Sequence, residues 1–314
     1  MQRRGIATLA AAAVLVAAYL LTMEPAHTPV VALRQASAAA ILDSATPHFQ
    51  PAQLERELDA LISLCPGRPG IVLEAADGSW KITRRGSTSI KAASVIKLPI
   101  LLAVLRLRAR GELDIETRVV VLPADRTEGS GSLKYSPLPH DFTLSMLLER
   151  MISESDNTAT NAILRIVGLD TIAAEFPGLG LERTRLTNRI LESSADNPTT
   201  AGEIAGLLSA LSRKAGVAAG GRAILPDADA LLARALLRSA SNAMRLKRYL
   251  PDTVSVEHKT GTLRDIVHDA GIVSTPSGDV IVAGLISNVT DRNEAEKWLG
   301  LLGKIVYERA GVSE

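Results

Sequence analysis

Two residues that are three positions apart could form a nucleophile and its base. Ser94 and Lys97 stand in residues 92–100, at the start of an apolar run. If this run is helical, positions three apart lie on one face of the helix, about one turn from each other. A serine hydroxyl needs a neighbouring base to take its proton before it attacks a carbonyl carbon, and a lysine amine can be that base. A capping serine beside a solvated lysine would give the same spacing, so the pair needs support from the rest of the chain.

Two further polar clusters follow in the chain. Residues 155–157 read Ser-Asp-Asn and interrupt a helical pattern, and residues 259–261 read Lys-Thr-Gly after a stretch rich in β-branched residues. Alone, the first cluster is typical of a helix cap and the second of a strand end followed by a turn. Only their combination with Ser94 and Lys97 indicates chemistry.

The elements before Ser94 place it near a structural junction. Apolar residues at helical spacing predict a helix over 51–64, and two short strands over 70–76 and 79–84 form a hairpin around Asp77-Gly78. A long helix is predicted over 94–110. Because proline is tolerated near a helix start, Pro99 indicates that this helix begins close to Ser94. Ser94 would then lie at the positive end of the helix dipole.

The remaining elements predict the fold class. The middle of the chain is mostly helical, and the C-terminal part holds three strands and a closing helix (helices over 144–153, 158–167, from about 170, 199–211, 225–239 and 291–308; extended segments over 117–122, 253–259, 268–274 and 279–287). The N-terminal hairpin and the C-terminal strands can share one sheet. We therefore predict an α/β (α+β) fold, with an antiparallel sheet flanked by N- and C-terminal helices and with an inserted all-α lobe. The domain spans 47–314, with an α/β lobe at about 47–90 and 245–314 and a helical lobe at about 91–244.

Composition and the N-terminus indicate the compartment. The net charge is +1 and aromatic residues make up 3% of the chain, which argues against nucleic acid as a partner. Arg3 and Arg4 precede an apolar run over 5–21, so we predict that residues 1–23 are a signal peptide or a membrane anchor and that residues 24–46 are a linker. The protein is expected to be exported, in the periplasm or another extracytoplasmic space, and an N-terminal membrane association remains an alternative.

Neither cysteine nor histidine points to a bound metal. Cys65 is the only cysteine, so no internal disulfide can form, and its position before Pro66-Gly67 favours a small buried side chain at a helix end. A metal site built on His258 and His268 would need a further ligand such as Asp265 or Asp269, which the serine–lysine pair does not require. We predict no cofactor and no metal, and we expect a monomer.

Taken in order, the three motifs resemble the class A β-lactamase family and its penicillin-binding relatives. Four segments carry the resemblance, which covers roughly residues 54–307 (92–101, Gly-Ser-Gly at 129–131, 151–161 and 258–262). It implies an α/β lobe and an all-α lobe, in agreement with the pattern above. It also implies a β-lactam or a cell-wall peptide as substrate.

The resemblance implies a role for each motif residue. Ser94 would be acylated, Lys97 would accept its proton, and Ser155 would relay a proton to the leaving nitrogen. Asn157 would hold the substrate amide and Lys97, whereas Asp156 would tie loops together. Lys259 and Thr260 would bind the substrate carboxylate, and Gly261 would let the strand pass close to the ligand. The backbone amides of Ser94 and Thr262 would form the oxyanion hole.

One segment departs from the family pattern. The family's active β-lactamases carry Arg-x-Glu in a loop, and this glutamate holds the hydrolytic water. Here Arg189 fits the arginine, but position 191 is Leu191, and Glu192 comes one residue later. Glu192 could serve only if the loop is rebuilt, and deacylation could otherwise be slow.

Three functions remain open from the sequence. The first is a β-lactamase that forms an acyl-enzyme on Ser94 and hydrolyses the β-lactam amide. The second is a penicillin-binding D-alanyl-D-alanine peptidase with slow deacylation, and the third is a non-catalytic domain that binds β-lactams or cell-wall peptides. The motif residues argue against the third, and the altered loop leaves the first two open.

Overall fold

A five-stranded antiparallel sheet forms the framework of the protein, which we describe from a computed structural model of residues 49–192, 197–212 and 224–310. Its strands lie in the order β2-β1-β9-β8-β7 (β1 Arg68–Ala75, β2 Lys81–Arg84, β7 Val256–Leu263, β8 Ile266–Thr275, β9 Gly278–Ser287). The hairpin β1–β2 joins the C-terminal strands because β1 pairs with β9 from Arg68↔Ser287 to Ala75↔Val280. This pairing confirms the predicted shared sheet, and it leaves β7 at one edge.

Helices cover both faces of this sheet. The helices α1 (Pro51–Ser63) and α8 (Arg292–Ala310) pack together, and α8 lies on β8 and β9. Trp298 Nε1 donates a 2.7 Å hydrogen bond to Leu61 O between the two helices. On the other face, α6 (Ala201–Ser212) contacts β1, β8 and β9. The N- and C-terminal helices therefore flank the sheet as predicted.

One buried helix, α2 (Lys97–Ala109), organises the inserted part of the chain. Its residues from Leu98 to Leu105 are apolar, and all of them are buried. A helix that is apolar on every side must be enclosed by other elements. Three helices contact α2 directly, namely α3, α5 and α7, and α4 packs against α3 and α5 (α3 Leu144–Ser153, α4 Asn157–Val167, α5 Leu169–Ala174, α7 Asp227–Arg238).

The inserted part also contains two short β-ladders that the sequence pattern only partly predicts. The strand β3 (Ile90–Lys91) pairs with β6 (Pro198–Thr199), and β4 (Arg118–Val121) pairs with β5 (His140–Thr143). The extended segment over 117–122 is confirmed by β4. Its partner β5 was not predicted, because a four-residue strand containing His140 and Asp141 has no apolar alternation.

Two predicted boundaries near the motifs are wrong. The α-helix begins at Lys97, because a 3₁₀ turn over Ala93–Ile96 precedes it, so Ser94 lies in the turn that leads into the helix. The strand predicted over 253–259 extends to Leu263, because Lys259↔Ala270 and Gly261↔His268 continue its pairing with β8. Lys-Thr-Gly therefore lies inside a strand and not at its end.

The predicted signal peptide or anchor (1–23) and the linker (24–46) lie outside the described residues. Among the helices of the described ranges, none is long and apolar enough to cross a membrane. Cys65 follows the end of α1, where it is half-buried, and burial raises the pKa of its thiol to about 12.

Candidate active site

The turn that carries Ser94 is held against the edge strand of the sheet. Ala93 adopts a left-handed backbone with φ +48°, and the half-buried Ser94 follows it. A Cβ atom at Gly261 of β7 would lie 3.2 Å from Ala92 O, Ala93 Cβ and Ser94 N. The lack of a side chain at Gly261 thus lets β7 approach the backbone of the serine turn. Gly261 also lines a cavity, so its predicted close approach to a ligand stays a prediction.

Lys97 lies beneath the serine turn and is fully buried. Its Nζ donates to Ser155 O at 2.6 Å and to Asn157 Oδ1 at 2.7 Å, and it lies 3.3 Å from Ser155 Oγ. Burial lowers the pKa of Lys97 well below its usual range, the charge of Lys259 lowers it further, and Asp156 opposes both. A neutral amine has two N–H donors, which match the two shorter contacts, and its lone pair remains to accept a proton.

The side chains of the predicted pair, Ser94 and Lys97, are not hydrogen-bonded to each other in the described part of the chain. Within the described part of the chain, the side-chain bonds of Lys97 go to Ser155 and Asn157, and none reaches Ser94 Oγ. Ser94 and Lys97 are nevertheless one turn apart, because Lys97 N donates to Ser94 O.

Ser155 brings the two lysines together. It adopts a left-handed backbone with φ +55° in the turn between α3 and α4. Its Oγ accepts a 2.9 Å hydrogen bond from Lys259 Nζ, which also donates to Thr260 O at 3.0 Å. Burial lowers the pKa of Lys259 to about 7, Arg245 lowers it further, and Asp269 opposes this.

Asp156 has the structural role predicted for it. Its carboxylate is fully buried and accepts hydrogen bonds from Ala159 N, at the start of α4, and from Leu133 N, both at 2.8 Å. It therefore caps α4 and fastens the loop before Leu133.

Asn157 also holds this loop, through Gly-Ser-Gly at 129–131. Asn157 Nδ2 donates to Glu128 O at 2.8 Å, and Asn157 N donates to Ser130 O at 3.0 Å. The contact is close: a Cβ at Gly129 would lie 2.6 Å from Asn157 Nδ2, and one at Gly131 would lie 2.2 Å from the carboxylate of Asp156. The loop thus positions Ser130 beside the serine–lysine cluster.

Arg245 is a buried cation that sequence reasoning missed. Its guanidinium donates to Gly261 O at 3.1 Å, to His268 O at 2.6 Å and to Thr262 Oγ1. It also forms an ion pair with Glu296 at 3.0 Å. It therefore fixes the part of β7 that borders the serine turn. No sequence signal separates it from neighbouring arginines such as Arg248, since both lie in an irregular segment.

The two histidines considered as metal ligands make hydrogen bonds within the protein. His258 Nδ1 lies 2.8 Å from Asp269 Oδ1 in a buried pair. His268 Nε2 lies 2.9 Å from Lys91 O, and Ile286 N donates to His268 Nδ1 at 3.1 Å. Burial lowers the pKa of His268 to about 4, which fits a neutral ring. Among the described residues, no group of three potential ligands could hold a metal ion.

In the loop that departs from the family pattern, the described residues 189–192 present no carboxylate toward Asn157. Asn161 of α4 holds the backbone of Ile190, accepting from its N at 2.8 Å and donating to its O at 3.2 Å. Leu191 is 52% exposed with φ +59°, and its Cδ1 would lie 3.3 Å from a Cβ at Gly129. Glu192 is exposed, and its Oε2 accepts from Arg189 N at 3.3 Å. The carboxylate thus closes its own turn, while a leucine side chain lies beside the Gly-Ser-Gly loop.

Arg189 attaches this segment to the helical part of the protein. Its Nη2 donates to Ala124 O at 3.3 Å and lies 3.5 Å from Asp125 Oδ1. Asp125 is fully buried and accepts two 2.8 Å bonds from Arg165 of α4. The arginine side chains of α4 and of the loop therefore meet at one carboxylate.

These residues surround a cavity of about 160 Å³. Its walls come from the serine turn, the Ser-Asp-Asn turn, the segment before Arg245 and β7 (Ser94, Ser130, Ile152, Ser153, Glu154, Ser155, Ala240, Ser241, Asn242, Lys259, Thr260, Gly261, Thr262). Six of the eight predicted site residues thus line one cavity. The other two, Lys97 and Asn157, are not in its wall and contact it through Ser155 and Ser130.

Comparisons with known proteins agree with this arrangement. The Beta-lactamase2 family, described as the beta-lactamase enzyme family, matches residues 53–310. A beta-lactamase from Mycobacterium tuberculosis is 28% identical over 250 residues, which cover 76% of each chain.

Two solved structures are similar as well. One is the beta-lactamase from Sphaerobacter thermophilus (27% identity, 82% of this chain and 97% of that one, TM-score 0.73). The other is a mutant of PBP-A in an acyl-enzyme complex with penicillin G (24% identity, 84% and 98%, TM-score 0.74), which supports the fold alone. The chain belongs to the beta-lactamase enzyme family and is a serine β-lactamase-like hydrolase.

Proposed function

We propose that the protein opens the amide bond of β-lactams by forming an acyl-enzyme on Ser94. Ser94 Oγ attacks the lactam carbonyl carbon, the carbon–nitrogen bond breaks, and the acyl group stays on the serine oxygen. The serine proton passes to Lys97, and Ser155 delivers a proton to the leaving nitrogen. The meeting of Lys97 and Lys259 at Ser155 carries this proposal, since it gives the proton a short route.

The substrate carboxylate binds at the other side of the cavity in this proposal. Lys259 and Thr260 lie there, with Arg245 behind them. The amides of Ser94 and Thr262 stabilise the negative oxygen of the tetrahedral intermediate, a contribution of roughly 3 kcal/mol for each such donor. Asn157 lies behind the cavity wall, where it holds Lys97 and the loop of Ser130 in place.

Labelling by a fluorescent penicillin tests the acylation step. We expect the purified protein to become covalently labelled and the Ser94→Ala variant to remain unlabelled. Since Ser94 is half-buried and lines a cavity, the smaller alanine should not disturb the fold, and thermal melting checks this. Labelling of the variant to the same extent as the parent would assign the nucleophile elsewhere.

The loop at 189–192 favours a second candidate function, a D-alanyl-D-alanine peptidase with a long-lived acyl-enzyme. Leu191 lies near Asn157, and the carboxylate of Glu192 closes its own turn, so among the described residues 189–192 no acidic group is placed to activate water. A chromogenic cephalosporin separates the two candidates when turnover and intact mass are followed together. Rapid turnover indicates a β-lactamase, and a stable adduct without turnover indicates the peptidase-like enzyme. Absence of both would support a binding domain.

We also infer that the protein is exported and acts outside the cytoplasm. The basic start and the apolar run over 5–21 support this inference. The substrate of the second candidate function, a cell-wall peptide, also lies outside the cytoplasm. Cell fractionation of the full chain, with the mass of the mature N-terminus, tests it. Recovery of the uncleaved chain in the cytoplasm would contradict export.

A further inference from the structure

Among the described residues that line the cavity, two are charged, and their charges have opposite signs. Of the described residues that line it, Lys259 carries the cation and Glu154 the carboxylate, while the others are apolar or carry hydroxyl or amide groups. Lys259 stands beside Thr260, and Glu154 directly precedes Ser155. A ligand that places its carboxylate at Lys259 and its leaving nitrogen at Ser155 would therefore extend toward Glu154.

The carboxylate of Glu154 is fixed in position. Ser132 N donates to Glu154 Oε2 at 3.1 Å, and Ser132 Oγ donates to the same oxygen at 2.5 Å. Arg150 Nη1 donates to Glu154 Oε1 at 3.0 Å. These contacts hold the carboxylate at the end of α3, next to the loop that carries Ser130.

The cation that pairs with Glu154 lies away from the cavity. Arg150 is not among the residues that line it, and its guanidinium carbon lies 5.8 Å from the ring centre of Phe142. The side chains of Arg150 and Glu154 are 33% and 36% exposed, so water screens their attraction. Arg150 therefore neutralises the Glu154 carboxylate only in part, and this carboxylate can still attract a cation that is bound in the cavity.

We propose that Glu154 is a specificity-determining residue, which selects substrates with a cationic group on the leaving-nitrogen side of the scissile amide. The substrate class is then a zwitterion, with a carboxylate at Lys259 and an ammonium or pyridinium group near Glu154. This assignment rests on the proposed acylation of Ser94. The charges of Lys259 and Glu154 in the cavity wall support it, and Glu154 lies outside the three sequence motifs.

Two cephalosporins with the same acyl side chain test the proposal. One carries a neutral acetoxymethyl group at position 3, and the other carries a cationic pyridiniomethyl group. The second-order rate constant of acylation is measured for both compounds by intact mass after rapid quenching. For each variant, the rate constant for the cationic compound is divided by that for the neutral compound. Comparing ratios between variants removes the intrinsic reactivity difference of the two compounds.

This ratio of rate constants is expected to fall roughly tenfold in Glu154→Gln. A factor of this size is expected when one attraction between charges several ångströms apart is lost in a partly solvated site. Glutamine keeps an oxygen that can accept from Ser132. Removing the outer cation in Arg150→Gln should change the ratio in the opposite direction, because Glu154 then loses its partner. Equal ratios in the parent and in Glu154→Gln would overturn the proposal. If neither compound acylates the parent protein, the proposed function itself fails.

Discussion

Lys259 Nζ donates a 2.9 Å hydrogen bond to Ser155 Oγ, which connects the edge strand β7 to the turn between α3 and α4. Lys97 Nζ lies 3.3 Å from the same oxygen. Each lysine is buried, and a charge on Lys259 makes a charge on Lys97 less favourable. The arrangement therefore favours one protonated and one neutral amine, joined by a hydroxyl that can pass a proton.

The first prediction concerns the pH dependence of kcat/KM for a substrate with a carboxylate. Lys259 must be protonated to bind that carboxylate, and its pKa is about 7. The protonated fraction falls as pH rises through 7, so kcat/KM should decrease above this pH, approaching tenfold per pH unit. Lys259→Arg keeps its charge over the whole range and should lose this decrease. A parent profile that stays level up to pH 9 would contradict the role given to Lys259.

The second prediction concerns the cause of that pKa. Arg245 lowers the pKa of Lys259 through its charge, after the larger effect of burial. In Arg245→Gln the alkaline decrease in kcat/KM should therefore move to higher pH. Glutamine can still donate to one of the carbonyl oxygens that Arg245 now binds, and a melting curve checks that the fold persists. A decrease at unchanged pH would show that burial alone sets the pKa.

Most of the fold and part of the site could be predicted from the sequence. Helix periodicity and strand alternation identified α3 and the strands of the sheet, because those segments bury one face or both. Arg245 could not be found in this way, since it lies in an irregular segment and meets Thr262 and Glu296 only through the folded chain. The contact of Asp125 could not be predicted for the same reason. Its partner Arg189 is 64 positions away in the sequence, and a local sequence pattern does not indicate contacts between residues so far apart.

The third prediction concerns Gly131 in the loop beside Asn157. Gly131 has φ +98°, and a Cβ there would lie 2.2 Å from Asp156. Gly131→Ala should lower the free energy of unfolding by about 3 kcal/mol or more, because backbone strain adds to a clash with a buried carboxylate. Urea unfolding measures this difference.

Gly180 provides the matched control. It has a similar backbone, with φ +79°, but a Cβ there would meet nothing within 4 Å. Gly180→Ala should therefore cost only about 1 kcal/mol, the conformational part alone. If both substitutions cost the same, the close contact between Gly131 and Asp156 has no energetic consequence.

The last prediction concerns release of the acyl group. Leu191 lies near Gly129 and Asn157, in the place where the family pattern carries its glutamate. A carboxylate at this position could accept a proton from the attacking water, and general base catalysis contributes roughly 10²-fold or more. Leu191→Glu should therefore shorten the lifetime of the penicillin adduct by at least about tenfold, measured by intact mass over time. In the control variant Leu191→Gln, the glutamine has the shape of glutamate but cannot act as a base. The lifetime of its penicillin adduct should therefore stay close to that of the parent.

Glu192 provides the complementary variant. Its carboxylate accepts from Arg189 N and is exposed to solvent, so among the described residues it makes no contact through which it could orient water over Ser94. Glu192→Gln should therefore leave the adduct lifetime within about twofold of the parent, since a change of 0.4 kcal/mol or less corresponds to such a factor. A much longer lifetime in Glu192→Gln would mean that the loop rearranges after acylation and brings this glutamate into the cavity. In that case Leu191→Glu should have little further effect, because the enzyme would already have its base.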